Sequence, residues 1–329
     1  MRSTRLALLS VCHFLVDFAC AFFLLRRLRQ GEDWKEALLW YNFCAFALQM
    51  PLGLLADCLG RARLFGGAGC VLVACGGVLT GFPAVTALGV GNALFHIGGG
   101  VEVLYSTEDM GPLGIFVAPG AIGLALGLTL KRSGTWGPCA VAAALIACAA
   151  ALLLGRKEDG ERHCFMQGRD MGCASGAAAL LFSVVALRSW AGLGASFPWK
   201  AGALALAAAC AAALGKALGG MLSDRFGPER VSAWSLCAGA ALFLLSRLWG
   251  AGLMALVLFN MTMPVTLWAM ARLMPRLRGF SFGLLTFALF LGFLPVYFGA
   301  PTLNGPVLAA GSLLSLALLL PGLRKAVEP

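Results

Sequence analysis

Charged residues are scarce in this 329-residue sequence, where Asp, Glu, Lys and Arg together make up only 12%. A soluble domain carries roughly 25% charged residues, so the composition excludes an ordinary water-soluble globular protein. Hydrophobic residues fill 60% of the chain instead. They form recurring apolar runs of about 18 to 25 residues, each long enough to cross a hydrocarbon core of ~30 Å. We therefore predict an all-α membrane protein.

Several familiar kinds of site are also absent from the sequence. The 12 cysteines occur singly, mostly inside apolar runs, without a CxxC pair. This favours packing inside helices over a disulfide framework and predicts no metal site. There is no GxxxxGK[ST] nucleotide-binding run. With three histidines in all, no HExxH and no nucleophile paired with a base, an enzyme is disfavoured and no cofactor is expected.

The net charge of +10 would suggest a nucleic-acid partner in a soluble protein. In a membrane protein the same excess arises from basic cytoplasmic loops. When loops alternate between the two sides, most Lys and Arg fall on the side of the N-terminus. We therefore expect both termini in the cytoplasm, an inner (plasma) membrane location, lipid but no nucleic acid as partner, and a monomer. A cleavable secretory signal is the alternative for the first run, but His13 and Asp17 interrupt it and favour a retained helix.

The apolar runs predict twelve transmembrane helices bounded by charges or by Pro and Gly. Their expected ranges are 6–25, 37–59, 64–82, 84–105, 112–130, 137–155, 173–194, 201–222, 231–248, 251–271, 279–299 and 304–322. The longest polar stretch, 156–170, falls at the midpoint of the chain. We therefore predict an N-terminal six-helix bundle at 1–155, a cytoplasmic linker at 156–172 and a C-terminal six-helix bundle at 173–329.

A short segment occurs twice, once after helix 2 and once after helix 8, at an offset of 167 residues. Its residues are Gly53, Asp57, Gly60 and Arg61 in the first copy, and Gly220, Asp224, Arg225 and Gly227 in the second. Both copies hold the same ordinal place in their half, so tandem halves are predicted. Halves related in this way form a transport path at their interface, with the substrate site near the membrane midplane.

The doubled segment resembles the inner-loop signature of the major facilitator superfamily, which implies two pseudo-twofold six-helix bundles. It also implies a latch in which Asp57 binds the N-terminus of a helix from the opposite half. Arg61, at i+4, is another candidate partner, because negative charge is disfavoured at a helix C-terminus. Pro228 replaces the basic residue in the second copy, which predicts a weaker or differently made latch. Alternatively, these charges only stop the helices from sliding into lipid.

Three further segments resemble the fosmidomycin-resistance-like exporters. They are His13-x-x-x-Asp17 in helix 1, Gly89-x-Gly91-Asn92-x-x-Phe95-His96 in helix 4 and Leu187-Arg188-Ser189-Trp190 in helix 7. The resemblance implies efflux by an antiporter. Those exporters usually follow the second histidine with Pro-Glu and an Arg, whereas here three glycines and Glu102 follow.

Helix 5 contains Gly114, Pro119, Gly120 and Gly123. This pattern is similar to the Gly/Pro-rich antiporter motif of exporters in the same superfamily. Proline breaks the hydrogen-bond ladder and glycines permit close helix approach, so ordinary helix packing explains the pattern equally well.

Ionisable residues inside the predicted helices bear most directly on mechanism. A charge at the centre of a membrane helix costs roughly 3 kcal/mol, so Asp17 and Arg188 are expected to face a pathway or each other. The helical rise places His13, Asp17 and His96 at similar depth. We therefore predict that these three form a proton-binding cluster coupled to transport.

Other polar residues have two explanations each. Arg188 either pairs with Asp17 or binds an anionic group of the substrate. Glu102 either belongs to the pathway or is only solvated. Asn92 lies near the same cavity, where a hydrogen bond between helices is its expected role. Lys216 is expected to extend its amine towards the cytoplasm.

The sequence thus predicts a secondary active transporter that exports a small organic molecule by proton-coupled alternating access. The alternatives are a proton-coupled importer (symporter) of a small metabolite and a non-transporting membrane sensor or assembly partner on the same fold. In the latter case the ionisable cluster could be neutralised without loss of function.

Overall fold

The computed structural model describes residues 3–28, 33–130, 136–155 and 171–327, and these residues are almost entirely helical. Two helices contain an internal irregularity and each is counted as one. The helices of the described residues are α1 Ser3–Leu28, α2 Trp34–Leu59, α3 Ala62–Val78, α4 Gly81–Ser106, α5 Met110–Thr129, α6 Trp136–Leu154, α7 Met171–Gly194, α8 Ala203–Phe226, α9 Pro228–Leu244, α10 Trp249–Leu273, α11 Arg278–Tyr297 and α12 Gly305–Val327. Except for its last two residues, the predicted linker at 156–172 lies outside the described residues.

Each predicted helix overlaps one of these twelve, with ends that differ by a few residues. Ten helices are long and apolar enough to cross a membrane. The other two, α3 and α9, have 17 residues each. The all-α membrane class is therefore confirmed, and the number of membrane crossings stays a prediction.

Two helices are irregular near their middles. Phe43–Ala47 of α2 forms a π-helical turn, an irregularity that is frequent at functional sites. The regular hydrogen bonding of α10 is interrupted at Met261, between the segments Trp249–Asn260 and Thr262–Leu273. Both irregularities lie well inside the predicted membrane spans, so the backbone departs from the regular ladder where no water is expected.

Helix packing follows the order of the repeated segment. In the first six helices, α1 packs on α5, and α3 packs on α4 and α6. In the last six, α7 packs on α11, and α9 packs on α10 and α12. Between the two sets, α2 packs on α11 and α5 packs on α8. In tandem halves α2 is equivalent to α8, and α5 is equivalent to α11. The α2–α11 contact is therefore equivalent to the α8–α5 contact, as expected of tandem halves.

Glycines allow the closest of these contacts. A Cβ atom on Gly98 of α4 would overlap the backbone nitrogen of Gly66 in α3. A Cβ atom on Gly53 of α2 would overlap the carbonyl of Gly279 at the start of α11. In both places backbone meets backbone, so a side chain could be accommodated only if the helices moved apart.

We expect Gly98→Ala to destabilise the protein by about 1–3 kcal/mol, because the added methyl group overpacks the contact between α3 and α4. The measurement is the free energy or midpoint of unfolding of the purified protein in detergent. Gly192→Ala is the matched control, since beyond that glycine's own helix backbone no atom of the described residues lies within 4 Å of the added methyl group. Equal stability of the two variants would contradict the described packing of α3 on α4.

Candidate functional site

Two pairs of polar side chains face each other near the middles of α1 and α4. His13 and Asp17 are four residues apart on α1, and Asn92 and His96 are four residues apart on α4. Such spacing puts each pair on one side of its helix. The two helices pack together, and the four side chains come into contact there, as the sequence predicts for the three ionisable ones.

Their polar atoms converge on the carboxylate of Asp17. The Nε2 atoms of His13 and His96 are 2.9 Å apart. Nε2 of His13 lies 3.3 Å from Oδ2 of Asp17, and Nε2 of His96 lies 3.5 Å from Oδ1. The side-chain amide of Asn92 donates a hydrogen bond of 3.0 Å to Oδ1. We call His13, Asp17 and His96 the His–Asp cluster.

The backbone fixes which nitrogen of each ring carries hydrogen. Nδ1 of His13 lies 2.7 Å from the carbonyl oxygen of Phe116, and Nδ1 of His96 lies 2.9 Å from that of Asn92. A carbonyl oxygen can only accept, so both Nδ1 atoms donate. In neutral rings both Nε2 atoms then present lone pairs to each other and to the carboxylate. Three acceptor groups this close repel one another unless a cation lies between them, so the cluster is built to hold a proton or another positive ion.

The cluster is largely shielded but not sealed. The side chains of His13, His96 and Asp17 are 5%, 12% and 18% exposed, respectively. On the third side lies α5, where a Cβ atom on Gly120 would overlap both Oδ2 of Asp17 and Nε2 of His13. The glycine therefore lets the backbone of α5 lie directly against the cluster, where any other residue would displace Asp17 or His13.

The Gly/Pro segment of α5 serves close packing in the described structure. Cβ atoms on Gly114 and Gly123 would overlap the carbonyls of Lys216 in α8 and Phe14 in α1. Pro119 lies inside the helix. Tight packing thus accounts for the three glycines, and the link of the segment to antiport stays a prediction.

Arg188 does not pair with Asp17. It donates a hydrogen bond of 3.1 Å to the carbonyl oxygen of Phe259, just before the interruption of α10, and its guanidinium lies 5.2 Å from the centre of that residue's ring. Its Nε atom is buried and has no hydrogen-bond partner in the described part of the chain. Of the two predicted roles, ion pairing with Asp17 is absent from this conformation, and substrate binding stays a prediction.

Lys216 of α8 is a further charge near the cluster, and the expected extension of its amine towards the cytoplasm stays a prediction. It interacts electrostatically with Asp17, His96 and Arg188 and is only partly exposed. Its position 167 residues after Gln49, in register with the repeat, places it one turn before Gly220 on α8. That register was the available signal that Lys216 lies at the contact between halves.

Glu102 is not merely solvated. Both its carboxylate oxygens bind the guanidinium of Arg5, at 2.5 and 2.8 Å, and each of the two side chains is little more than one-tenth exposed. The pair joins the start of α1 to the last turns of α4. The expectation of a solvated side chain fails because α1 begins at Ser3 and brings Arg5 alongside α4.

Asp57, at the end of α2, binds the N-terminus of α11. Its Oδ1 and Oδ2 accept hydrogen bonds of 2.9 Å from the backbone N–H groups of Gly279 and Phe280, respectively. The hydroxyl of Tyr105 donates a third bond of 3.1 Å to Oδ1. A helix N-terminus carries unpaired N–H groups and a partial positive charge, so it suits a carboxylate.

Asp224 makes the equivalent contact in the second half. Its Oδ1 and Oδ2 accept hydrogen bonds of 2.8 and 2.7 Å from the N–H groups of Met110 and Gly111, at the start of α5. We call these two carboxylate contacts the paired latches. The sequence predicts a differently made latch here because Pro228 replaces a basic residue. The carboxylate contact is nevertheless the same, because it uses backbone N–H groups and needs no basic partner.

The other residues of the repeated segment lie around the paired latches. Gly60 ends α2 with a φ of 61°, and Gly227 follows α8 with a φ of 89°, conformations that favour glycine. Arg61 is exposed and forms no ion pair with Asp57 in the described structure. Arg225 lies over the ring of Phe226, at 5.2 Å. The basic residues thus do not make the latches.

No family model matches the sequence, and a comparison with curated proteins gives no match. Similarity is found to solved transporter structures. A variant of the E. coli fucose:proton symporter FucP is 14% identical, covers 99% of each chain and has a TM-score of 0.70. A second FucP structure, of a major facilitator superfamily transporter in the outward conformation, is 14% identical with a TM-score of 0.68, covering 98% of this chain and 99% of that one.

A third similar structure is a bacterial homologue of the iron transporter ferroportin in the outward-facing state. It is 14% identical, covers 98% of each chain and has a TM-score of 0.64. Identity at this level speaks for the fold alone. The chain therefore has the fold of the major facilitator transporters over nearly its whole length.

Proposed function

We propose that this protein is a secondary active transporter of the major facilitator type that moves a small organic molecule by proton-coupled alternating access. The observation that carries the proposal is the His–Asp cluster. It lies near the middles of α1 and α4, inside a fold shared with transporters, and it brings together acceptor groups that require a cation. A cation site in the membrane interior, partly exposed, is what coupling to an ion gradient needs.

The packing supports two moving bodies. We assign residues 1–155 and 173–329 to two six-helix bundles joined by a cytoplasmic linker, because the helix contacts exchange under the pseudo-twofold order. The paired latches lie at the ends of helices whose loops are rich in Lys and Arg, the side we assign to the cytoplasm. With both latches made, the protein is in a conformation closed towards that side.

The cluster can couple a proton to this conformational change. Asp17, on α1, attracts Lys216, on α8, across the contact between the halves. A proton taken up between the histidines and Asp17 offsets the negative charge of the cluster and weakens that attraction. Protonation then changes the relative stability of conformations that hold the halves at different distances, as population-shift coupling demands.

Export is our first choice because the segments around His13, His96 and Arg188 resemble those of exporters. Import by symport uses the same cluster, and one of the similar structures is a fucose:proton symporter. A sensor or assembly partner on the same fold remains the alternative from another class. Its distinguishing property is that neutralising the cluster would leave function intact.

Proton coupling is tested with His13→Ala and Asp17→Asn in proteoliposomes, by following proton flux against a panel of small organic compounds. Both variants are expected to lose substrate-dependent proton flux at least tenfold, because each removes one of the groups that share the cation. His163→Ala, which changes the third histidine of the chain, is the control and should behave as the wild type.

Full proton coupling in both variants would reject the proposed role of the cluster. If the wild type moves substrates without moving protons, the protein is a transporter but its proton coupling is rejected. Thermal unfolding in detergent shows whether each variant is folded.

The paired latches are tested by hydrogen exchange of the backbone. Asp57→Ala should raise exchange at the N–H groups of Gly279 and Phe280 by roughly tenfold or more, because a hydrogen bond to a charged group contributes about 1.5–3 kcal/mol. Asp224→Ala should do the same at Met110 and Gly111. Asp33→Ala is the control, since that exposed residue makes no side-chain cap. Unchanged exchange in both latch variants would show that the carboxylates do not hold the halves together.

A further inference from the structure

The His–Asp cluster also satisfies the requirements of a metal site. We propose that His13, Asp17 and His96 bind one divalent transition-metal ion, with Zn²⁺ as the probe. The inference stands on the geometry of the cluster and does not require that the protein transports anything. The sequence predicts no metal site, and the proposal differs from that prediction. The prediction relied on cysteine spacing, which does not reveal ligands that come from two different helices.

The ligand atoms have the right separations. Zinc bonds to imidazole nitrogen and carboxylate oxygen are about 2.0–2.2 Å long, so two ligands at 90–110° lie about 2.8–3.6 Å apart. Nε2 of His13 lies 2.9 Å from Nε2 of His96 and 3.3 Å from Oδ2 of Asp17, and Nε2 of His96 lies 3.5 Å from Oδ1 of Asp17, so both carboxylate oxygens are available. One ligand atom from each of the three residues can be chosen so that all three lie within 4.8 Å of one another.

Each ligand is held by a second group, as is usual around protein-bound metals. The Nδ1–H groups of His13 and His96 donate to the carbonyls of Phe116 and Asn92. The amide of Asn92 donates to Asp17. These bonds turn both Nε2 lone pairs into the cluster, so the site needs no rearrangement of tautomers before a metal ion binds.

Space and exposure complete the site. Gly120 carries no side chain that would displace His13 or Asp17 from the cluster, and the partial exposure of His96 and Asp17 leaves a route for the ion. With only three protein ligands, further coordination positions stay open to water or to a bound molecule.

The ligand types select the metal class. Two imidazoles and a carboxylate suit Zn²⁺, Fe²⁺, Co²⁺ or Ni²⁺ better than the soft Cu⁺ ion, which prefers sulfur. The thiol of Cys20 lies 3.7 Å from the amide nitrogen of Asn92 and bonds the carbonyl of Leu88, so it is engaged outside the proposed ligand set.

Lys216 provides an electrostatic signature. Its ammonium group interacts with Asp17 and His96, and it therefore repels a cation bound between them. Lys216→Gln should bind the metal more tightly than the wild type. A zinc site made of cysteines elsewhere in the chain would not respond in this way.

The test is calorimetric titration of ZnCl₂ into the full-length protein, purified in detergent without a polyhistidine tag. We expect one Zn²⁺ per chain. His13→Ala, His96→Ala and the isosteric Asp17→Asn should each raise the Kd at least tenfold, while His163→Ala should leave it unchanged. The visible d–d bands of bound Co²⁺ should indicate nitrogen and oxygen ligands, and the near-ultraviolet spectrum should lack thiolate charge-transfer bands.

Two results would overturn the proposal. One is the absence of stoichiometric binding by the wild type. The other is binding that survives in the His13→Ala, His96→Ala double variant, since it would belong to thiols or to the surface. The unfolding midpoint of each variant, measured without metal, shows whether the variant is folded. Asp17→Asn is also isosteric, so its loss of binding would not be explained by a change in side-chain size. Because binding is measured without a membrane gradient, its failure is separate from failure of the proposed transport.

Discussion

The arrangement of the halves depends on carboxylates that bind the beginnings of helices. Asp57 and Asp224 end one helix each and accept two successive N–H groups from another. Water would otherwise have to satisfy those N–H groups, and little water is expected at a tightly packed helix contact. The glycines at the same contacts let the backbones approach until the carboxylates can reach. A bond of this kind holds firmly yet can be exchanged for water when the helices separate.

The same restriction governs the middle of the fold. A charge placed there is tolerated only with compensating groups, and the described structure supplies them from three helices. Asn92 and the backbone of α4 and α5 hold the His–Asp cluster, while Lys216 opposes its charge from α8. Arg188 is compensated differently, by a carbonyl and an aromatic ring. The positively charged side chains come from the second half and the carboxylate from the first, so the electrostatic energy depends on how far apart the halves are.

Much of this was predictable from the sequence. Apolar length predicted the helices because hydrocarbon thickness is a fixed requirement, and the family resemblance of the repeated segment implied that Asp57 contacts a helix N-terminus in the opposite half, without saying which helix. The spacing of His13 and Asp17 placed them on one face, and equal depth brought in His96. Sequence could not predict that Glu102 meets Arg5, that Arg188 turns to Phe259 or that the charge of Lys216 acts on Asp17. Those outcomes depend on helix rotation, which packing decides and hydrophobic pattern does not.

The π-helical turn at Phe43–Ala47 makes the two halves unequal. One extra residue in a turn rotates everything on its far side by about 100° around the helix axis. Gln49 and Lys216 therefore share a register next to the paired latches, whereas the stretch of α2 beyond the turn presents a different face from the matching stretch of α8, which is regular. Where α2 and α8 line a passage between the halves, their surfaces are thus alike near the paired latches and different beyond the π-helical turn. Bending of these two helices would concentrate in α2.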